Sequence, residues 1–252
     1  MKWRYKLPEL PEVETIRREL DPLIKGKTFA EPLLYMPSTI AYPAPEEFTA
    51  ALKDRTVETL TRRGKYLFIN LDQGILTVHL RMTGNLAYAA DGQPAEERFL
   101  RVSMPFKDSS ALHYFDMRRF GRLWLVADRE ELESKVLKRI GPDILEEVDL
   151  KRFIELLDKR QRTKLKALLL DQSFAAGMGN IYTDECLYRC SINPCRQAGT
   201  LSRAEKEELY AAIKAVLADG IEYGGTTFRD YRTASGALGS FQAKLAVYGR
   251  KG

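Results

Sequence analysis

An α+β fold is predicted, with an N-terminal antiparallel β-sandwich flanked by helices and a mostly α-helical C-terminal domain. Two observations predict it. Between residues 55 and 127 the apolar residues fall in short alternating or continuous runs parted by turn residues, whereas beyond Gly141-Pro142 they recur at helical spacing. A chain of 252 residues has room for two cores of ordinary domain size. The division is placed after residue 134, giving an extension over 1–7, a first domain over 8–134 and a second over 135–252.

The elements follow in order. Val13, Ile16, Leu20, Leu23 and Ile24 share one helical face, Pro11 suits a first turn and Gly26 a stop, so a helix is predicted over 10–25. Strands are predicted at Tyr66 to Leu71, Ile75 to Leu80, Leu100 to Met104, Ala111 to Phe115 and Leu123 to Val126, with Asp72-Gln73-Gly74 and Asp108-Ser109-Ser110 as hairpin turns. Helices follow at Phe153 to Leu157, Leu165 to Leu170, Tyr182 to Tyr188 and Ala204 to Tyr223, the last ended by Gly224-Gly225. A loop to about residue 240 and a final short strand, Ala243 to Tyr248, close the chain. There is no internal repeat.

With 44% hydrophobic and 30% charged residues, and no run near the ~20 apolar residues that span a bilayer, the chain reads as globular and not membrane-spanning. Met1 to Leu7 is basic but leads into Pro8-Glu9-Leu10-Pro11-Glu12 rather than an apolar stretch, which argues for the cytoplasm over secretion. Cys186, Cys190 and Cys195, odd in number and wrongly spaced for a disulfide framework or a paired zinc site, read as reduced thiols. The net charge of +5 is concentrated at Arg62 to Lys65, Arg118 to Arg122, Lys159 to Lys166 and Arg250-Lys251. Four basic clusters with aromatic neighbours point to nucleic acid.

One string is more specific than any of this. Pro8-Glu9-Leu10-Pro11-Glu12-Val13-Glu14-Thr15-Ile16-Arg17-Arg18 closely resembles the amino terminus of the formamidopyrimidine-DNA glycosylases. Arg63 to Leu67, His79 to Gly84, Asp116 to Gly121 and Leu170 to Tyr182 agree with the same family in order and spacing, the last resembling its helix–two-turns–helix element. Gly224 to Thr227 and Val247 to Gly252 extend the resemblance to the end of the chain. It implies a monomeric repair enzyme that grips damaged double-stranded DNA, removes oxidised purines such as 8-oxoguanine and formamidopyrimidines, and cleaves the resulting abasic site by β,δ-elimination.

The resemblance assigns roles residue by residue. A proline with a free amino terminus is a secondary amine whose neutral fraction near pH 7 is usable, since α-amino groups titrate near ~8. Pro8 is thereby the nucleophile toward sugar C1′, Glu9 the acid that protonates the deoxyribose ring oxygen, and Lys65 the lysine that contacts lesion and phosphate. Extruding a base leaves a gap in the stack that costs a few kcal/mol, and side chains fill it. Met82 and Phe120 match the family's wedge, Arg118 the residue facing the orphaned base, and Arg119 a phosphate contact. Gly177, Gly179 and Asn180 form a turn before a helix, whose exposed N–H groups suit a phosphate. Asn180 is the expected ligand there, with Lys166 adding salt-dependent grip and Glu185 matching an acid near the lesion strand. Residues 226–242, including Thr226, Thr227, Ser235 and Gly236, resemble the lesion-capping loop of the purine-specific branch, and Tyr248 belongs to the same lesion-facing set.

Two features depart from the family pattern. The family continues past Tyr-Gly-Arg-x-Gly into a four-cysteine zinc finger, whereas this sequence ends at Gly252 and holds no Cys-x-x-Cys pair, so no metal or cofactor and weaker DNA binding are expected. Seven residues also precede Pro8, and an acylated proline nitrogen has its lone pair delocalised into the carbonyl. Leu7 stands where the family has its initiating methionine, as a TTG or CTG start codon read as leucine would give, and the expected mature chain begins at Pro8. Two alternatives remain open at this point: a catalytically silent damaged-DNA-binding protein, and an oxidised-pyrimidine enzyme of the endonuclease VIII branch.

Overall fold

A computed structural model describes residues 8–226 and 239–250. The 1–7 extension and the expected loop residues Thr227, Ser235 and Gly236 lie outside the described residues.

The first half holds helices α1 (Leu10–Ile24) and α2 (Pro45–Leu52) and strands β1 (Leu33–Leu34), β2 (Ile40–Tyr42), β3 (Val57–Arg63), β4 (Tyr66–Leu71), β5 (Ile75–His79), β6 (Gly84–Ala89), β7 (Leu100–Pro105), β8 (Ala111–Asp116) and β9 (Arg122–Val126). The strands form a four-stranded sheet, ordered β1-β7-β8-β6, and a five-stranded sheet, ordered β2-β9-β5-β4-β3. Between them and α1 lies one apolar core, with Phe29, Phe48, Leu67, Val78 and Tyr114 nearly free of solvent. The two predicted hairpin turns join β4 to β5 and β7 to β8.

Pairing is antiparallel except between β2 and β9, which run parallel. These two strands are separated by some eighty residues, so no tight turn dictates their direction. Strand β3, absent from the sequence reading, carries a register shift between Val57 and Thr59 and buries Arg62 on its inner side, which breaks the apolar alternation.

A short helix α3 (Arg129–Glu131) and one wide turn (Leu132–Val136) lead into α4 (Leu150–Asp158), α5 (Leu165–Leu170), α6 (Asn180–Arg189) and α7 (Arg203–Glu222). Their core gathers Phe153, Leu168, Ile181, Tyr182, Ile213 and Leu217. Helix α1 straddles both cores, because Leu10 packs with the helical set while Val13, Ile16, Leu20 and Ile24 pack with the sandwich. The Leu10 N–H donates to the Gly177 carbonyl at 3.2 Å, so the start of α1 is seated in the helical domain. Among the described residues no helix is long and apolar enough to cross a membrane.

The expected final strand is not formed. A 3₁₀ turn, Phe241–Lys244, takes its place, and the N–H groups of Ala246, Val247 and Tyr248 that a ladder would need are received by the Glu185 carboxylate at 2.8, 3.0 and 2.7 Å.

Candidate active site and nucleic-acid interface

Sheet register sets three loops side by side. Tyr66 lies opposite His79 and His79 opposite Arg122, so the Gly64-Lys65 turn, the 80–83 loop and the 117–121 loop leave the sandwich at one end. Gly84 lies opposite Asp116, which brings the last two together. The first of these turns is held against the helical domain, where the Gly64 N–H donates to Asp143 Oδ2 at 2.6 Å.

Helix α1 begins with Glu9 as its N-cap, and the Glu9 N–H donates to Glu12 Oε2 at 2.9 Å. Pro8, directly before it, is buried. The Glu9 carboxyl is 2% exposed and accepts the N–H groups of Ile181 at 3.0 Å and Tyr182 at 3.4 Å, the first turn of α6. The seat requires glycine at 179, since a Cβ there would fall inside the carboxyl group. Burial pushes the Glu9 pKa up from the ordinary carboxylate range to about 7; Lys65 opposes this, Glu12 adds to it and the two N–H donors oppose it again. Near neutral pH this carboxyl therefore holds a proton it can give.

Lys65 is half-buried on the turn between β3 and β4, directly before the strand that begins at Tyr66. Burial pushes its pKa down, and the nearby Glu9 and Glu12 work against that. Thus Pro8, Glu9 and Lys65, spread over nearly sixty residues, share one buried polar site. Glu12, part of the same amino-terminal motif, is the hub of this site. Its Oε1 accepts the Thr226 N–H at 2.7 Å, the Thr226 hydroxyl at 3.1 Å and the Tyr182 hydroxyl at 2.8 Å.

At the loop end, Thr83 and Asp116 share a 2.5 Å hydrogen bond. The Arg118 N–H donates to Thr83 Oγ1 at 2.9 Å and to Asp116 Oδ1 at 3.1 Å, and the Gly121 N–H to Asp116 Oδ2 at 2.8 Å. One buried aspartate thus shapes the loop that carries Arg118, Arg119 and Phe120 and ties it to the loop that carries Met82. Arg119 is exposed in a left-handed conformation, φ 63°, and Phe120 is 48% exposed beneath the Arg118 guanidinium. Met82 is half-buried.

Two expectations about charge need correction. Arg62, counted in a basic surface cluster, is wholly buried and paired with Glu14, Asp143 and Glu146, while Arg63 pairs with Glu133 and Glu147. These two arginines join the domains rather than facing a nucleic acid. The start of α6 is only partly open to an anion, because Glu9 takes the N–H groups of Ile181 and Tyr182, leaving the exposed Asn180 beside it. Glu185, expected near the lesion strand, is 6% exposed and holds the C-terminal segment through the three N–H groups named above, including that of Tyr248. Lys166 pairs with Asp184 at 2.7 Å on α6.

Among the described residues, no group of three or more His, Cys, Asp or Glu could hold a metal ion. Cys186 and Cys190 are buried, Cys195 is exposed, and all three are free thiols.

Residues 7–123 match the family model described as the formamidopyrimidine-DNA glycosylase N-terminal domain, and residues 140–232 match the one described as the formamidopyrimidine-DNA glycosylase H2TH domain. A formamidopyrimidine-DNA glycosylase of Pelotomaculum thermopropionicum is 44% identical over 247 residues, covering 98% of this chain and 89% of the relative. One from Heliobacterium modesticaldum is 45% identical over 251 residues, covering 98% and 90%. Among solved structures, the Lactococcus lactis protein in complex with abasic-site DNA is similar at a TM-score of 0.87 and 36% identity, covering 96% of this chain and 88% of that one. A mutant of the same protein with DNA containing Fapy-dG gives the same values.

Proposed function

Since the chain belongs to the formamidopyrimidine-DNA glycosylase family, we propose that it excises oxidised purines from duplex DNA and cleaves the abasic strand that results. The observation that carries this reading is the Glu9 carboxyl, buried beside Pro8 and holding its proton to about pH 7.

The Pro8 nitrogen lone pair forms a bond to C1′ of the extruded nucleotide as the N-glycosidic bond breaks, the bonding pair leaving on the base, which takes up the proton the Pro8 nitrogen gives up. Glu9 gives its proton to the ring oxygen O4′ as the C1′–O4′ bond opens, and an iminium links Pro8 to the sugar. Loss of a C2′ proton then expels the 3′ phosphate, and a second elimination expels the 5′ phosphate. Amine and carboxyl suffice for these steps, so the excision itself asks for no metal or cofactor. Lys65, a desolvated ammonium beside the acid, binds the phosphate and lesion.

Met82 and Phe120 fill the gap left by the extruded base, Arg118 faces the base opposite and Arg119 meets the backbone. Lys166 and Asn180 track the strand from the helical side. Thr226 opens the segment that covers the lesion, which favours oxidised purines over pyrimidines. The site is assembled from one chain and acts as a monomer, in the cytoplasm and at the nucleoid, where its substrate lies.

This mechanism demands an unacylated nitrogen at residue 8. Protein prepared with Pro8 as first residue should form a covalent adduct with an 8-oxoguanine duplex under borohydride, and protein retaining residues 1–7 should form none. An adduct of equal yield with the leader intact assigns the chemistry to another amine, and binding without an adduct from either form makes the protein a silent reader of damage.

A further inference from the structure

Tyr182 has no part in the chemistry above, yet it touches Glu9, Glu12 and Phe241. It is wholly buried in the first turn of α6. Its N–H donates to Glu9 Oε2 at 3.4 Å and its hydroxyl to Glu12 Oε1 at 2.8 Å. Its ring stacks on Phe241 with centroids 5.4 Å apart and planes 17° apart. The ring has room because α7 carries glycine at 220, where a Cβ would stand 2.5 Å from the Tyr182 ring edge. A glycine inside a long helix costs about 1 kcal/mol against alanine, and here it admits this one side chain.

Glu12 divides its two oxygens between two tasks. Oε2 holds the Glu9 backbone next to Pro8, and Oε1 holds the Thr226 N–H and hydroxyl. The Phe241 N–H donates to the Gly225 carbonyl at 3.1 Å, next to Thr226. Tyr182 is therefore linked to Thr226 through its hydroxyl and Glu12, and to Phe241 through its ring.

We propose that Tyr182 is a positioning residue that couples lesion recognition to protonation, by fixing the Glu12 carboxylate between Thr226 and Glu9. This rests on the glycosylase reading. Excision of a base needs both Thr226 in place over the lesion and the proton of Glu9 delivered to O4′. Cleavage at a preformed abasic site needs neither in the same degree, since its open-chain aldehyde accepts the amine without loss of a base. Loss of the hydroxyl should then fall mainly on excision.

The test uses parent and Tyr182→Phe protein, each with a free Pro8, assayed in single turnover on one duplex carrying 8-oxoguanine and one carrying an abasic site. Removing one hydrogen bond to a charged group is worth about tenfold or more, so the ratio of excision to abasic cleavage should fall at least about tenfold. Thr226→Val, which deletes another donor to the same Glu12 oxygen, should lower that ratio in the same sense and serves if Tyr182→Phe does not fold. An unchanged ratio in the folded variants, whether both rates hold or both fall together, overturns the coupling. Parent protein that cleaves neither duplex overturns the glycosylase reading instead.

Discussion

Around Glu9 the protein supplies the partners itself: two helix N–H groups donate to the carboxyl, Glu12 holds the backbone, and Lys65 lies within electrostatic reach. At the tip of the 117–121 loop the backbone is tied as firmly, through Asp116 and Thr83, yet Phe120 is left largely in solvent. A proton on a buried carboxyl must be stabilised before substrate arrives, because its pKa is set by the desolvation the protein imposes. An apolar wedge gains its stabilisation only when bases close around it. The chemistry is thus preorganised down to side chains, whereas recognition is preorganised in the backbone and completed by the duplex.

The largest effect should come from breaking the closed end. Removing a general acid costs roughly 10²–10⁴-fold, so Glu9→Gln should slow single-turnover excision of 8-oxoguanine by that order. The pH profile sharpens the assignment. With a pKa of about 7, Glu9 loses its proton as pH rises past neutrality, and the parent rate should decline above that point. The slow variant should lack this decline; a decline of the same midpoint in Glu9→Gln would move the acid role to another group.

The same burial should appear in stability. The folded pKa of Glu9 lies above its ordinary value of 4.5, at about 7, so between these pH values the folded chain keeps a proton that the unfolded chain has released. Its contribution is full below pH 4.5 and is lost as pH rises through 7, at most on the order of 3 kcal/mol. Glutamine carries no charge to desolvate and its amide oxygen can still receive the Ile181 N–H. Melting of Glu9→Gln against parent should favour the variant more at pH 8 than at pH 5, and a gap independent of pH would mean the carboxyl is already solvated.

The closed end was only partly legible in the sequence, and the open end more so. Pro8, Glu9 and Lys65 were marked by motif, as were Arg118 and Phe120, because motifs preserve residue types at fixed spacing. What a motif does not carry is who receives whom across the chain. Asp143 and Thr83 accept N–H groups 79 and 35 residues away, and although Thr83 and Asp116 lie inside motif strings, residue type alone does not show which groups they hold. Arg62 looked like a phosphate contact since composition shows charge and not its partner. The apolar run at Ala243 to Tyr248 suggested a strand, but the Glu185 carboxylate outcompetes a ladder for its N–H groups. Gly220, inside an otherwise regular helical pattern, was the one visible sign that another side chain passes close to α7.

The smallest expected effect tests the open end. Phe120 is exposed and its loop is shaped by Asp116, so Phe120→Ala should leave the melting temperature nearly unchanged, within the about 0.5 kcal/mol usual for surface substitutions. The ring should matter only once the duplex is bound. Loss of an aromatic stack costs about 1–3 kcal/mol, so affinity for a duplex containing a stable abasic analogue should weaken about tenfold, measured by fluorescence anisotropy at fixed salt. Because the ring is uncharged, the dependence of affinity on salt should keep its slope. A variant that melts several degrees lower with unchanged affinity would show that Phe120 supports the fold, and the contrast between a closed acid and an open wedge would fail.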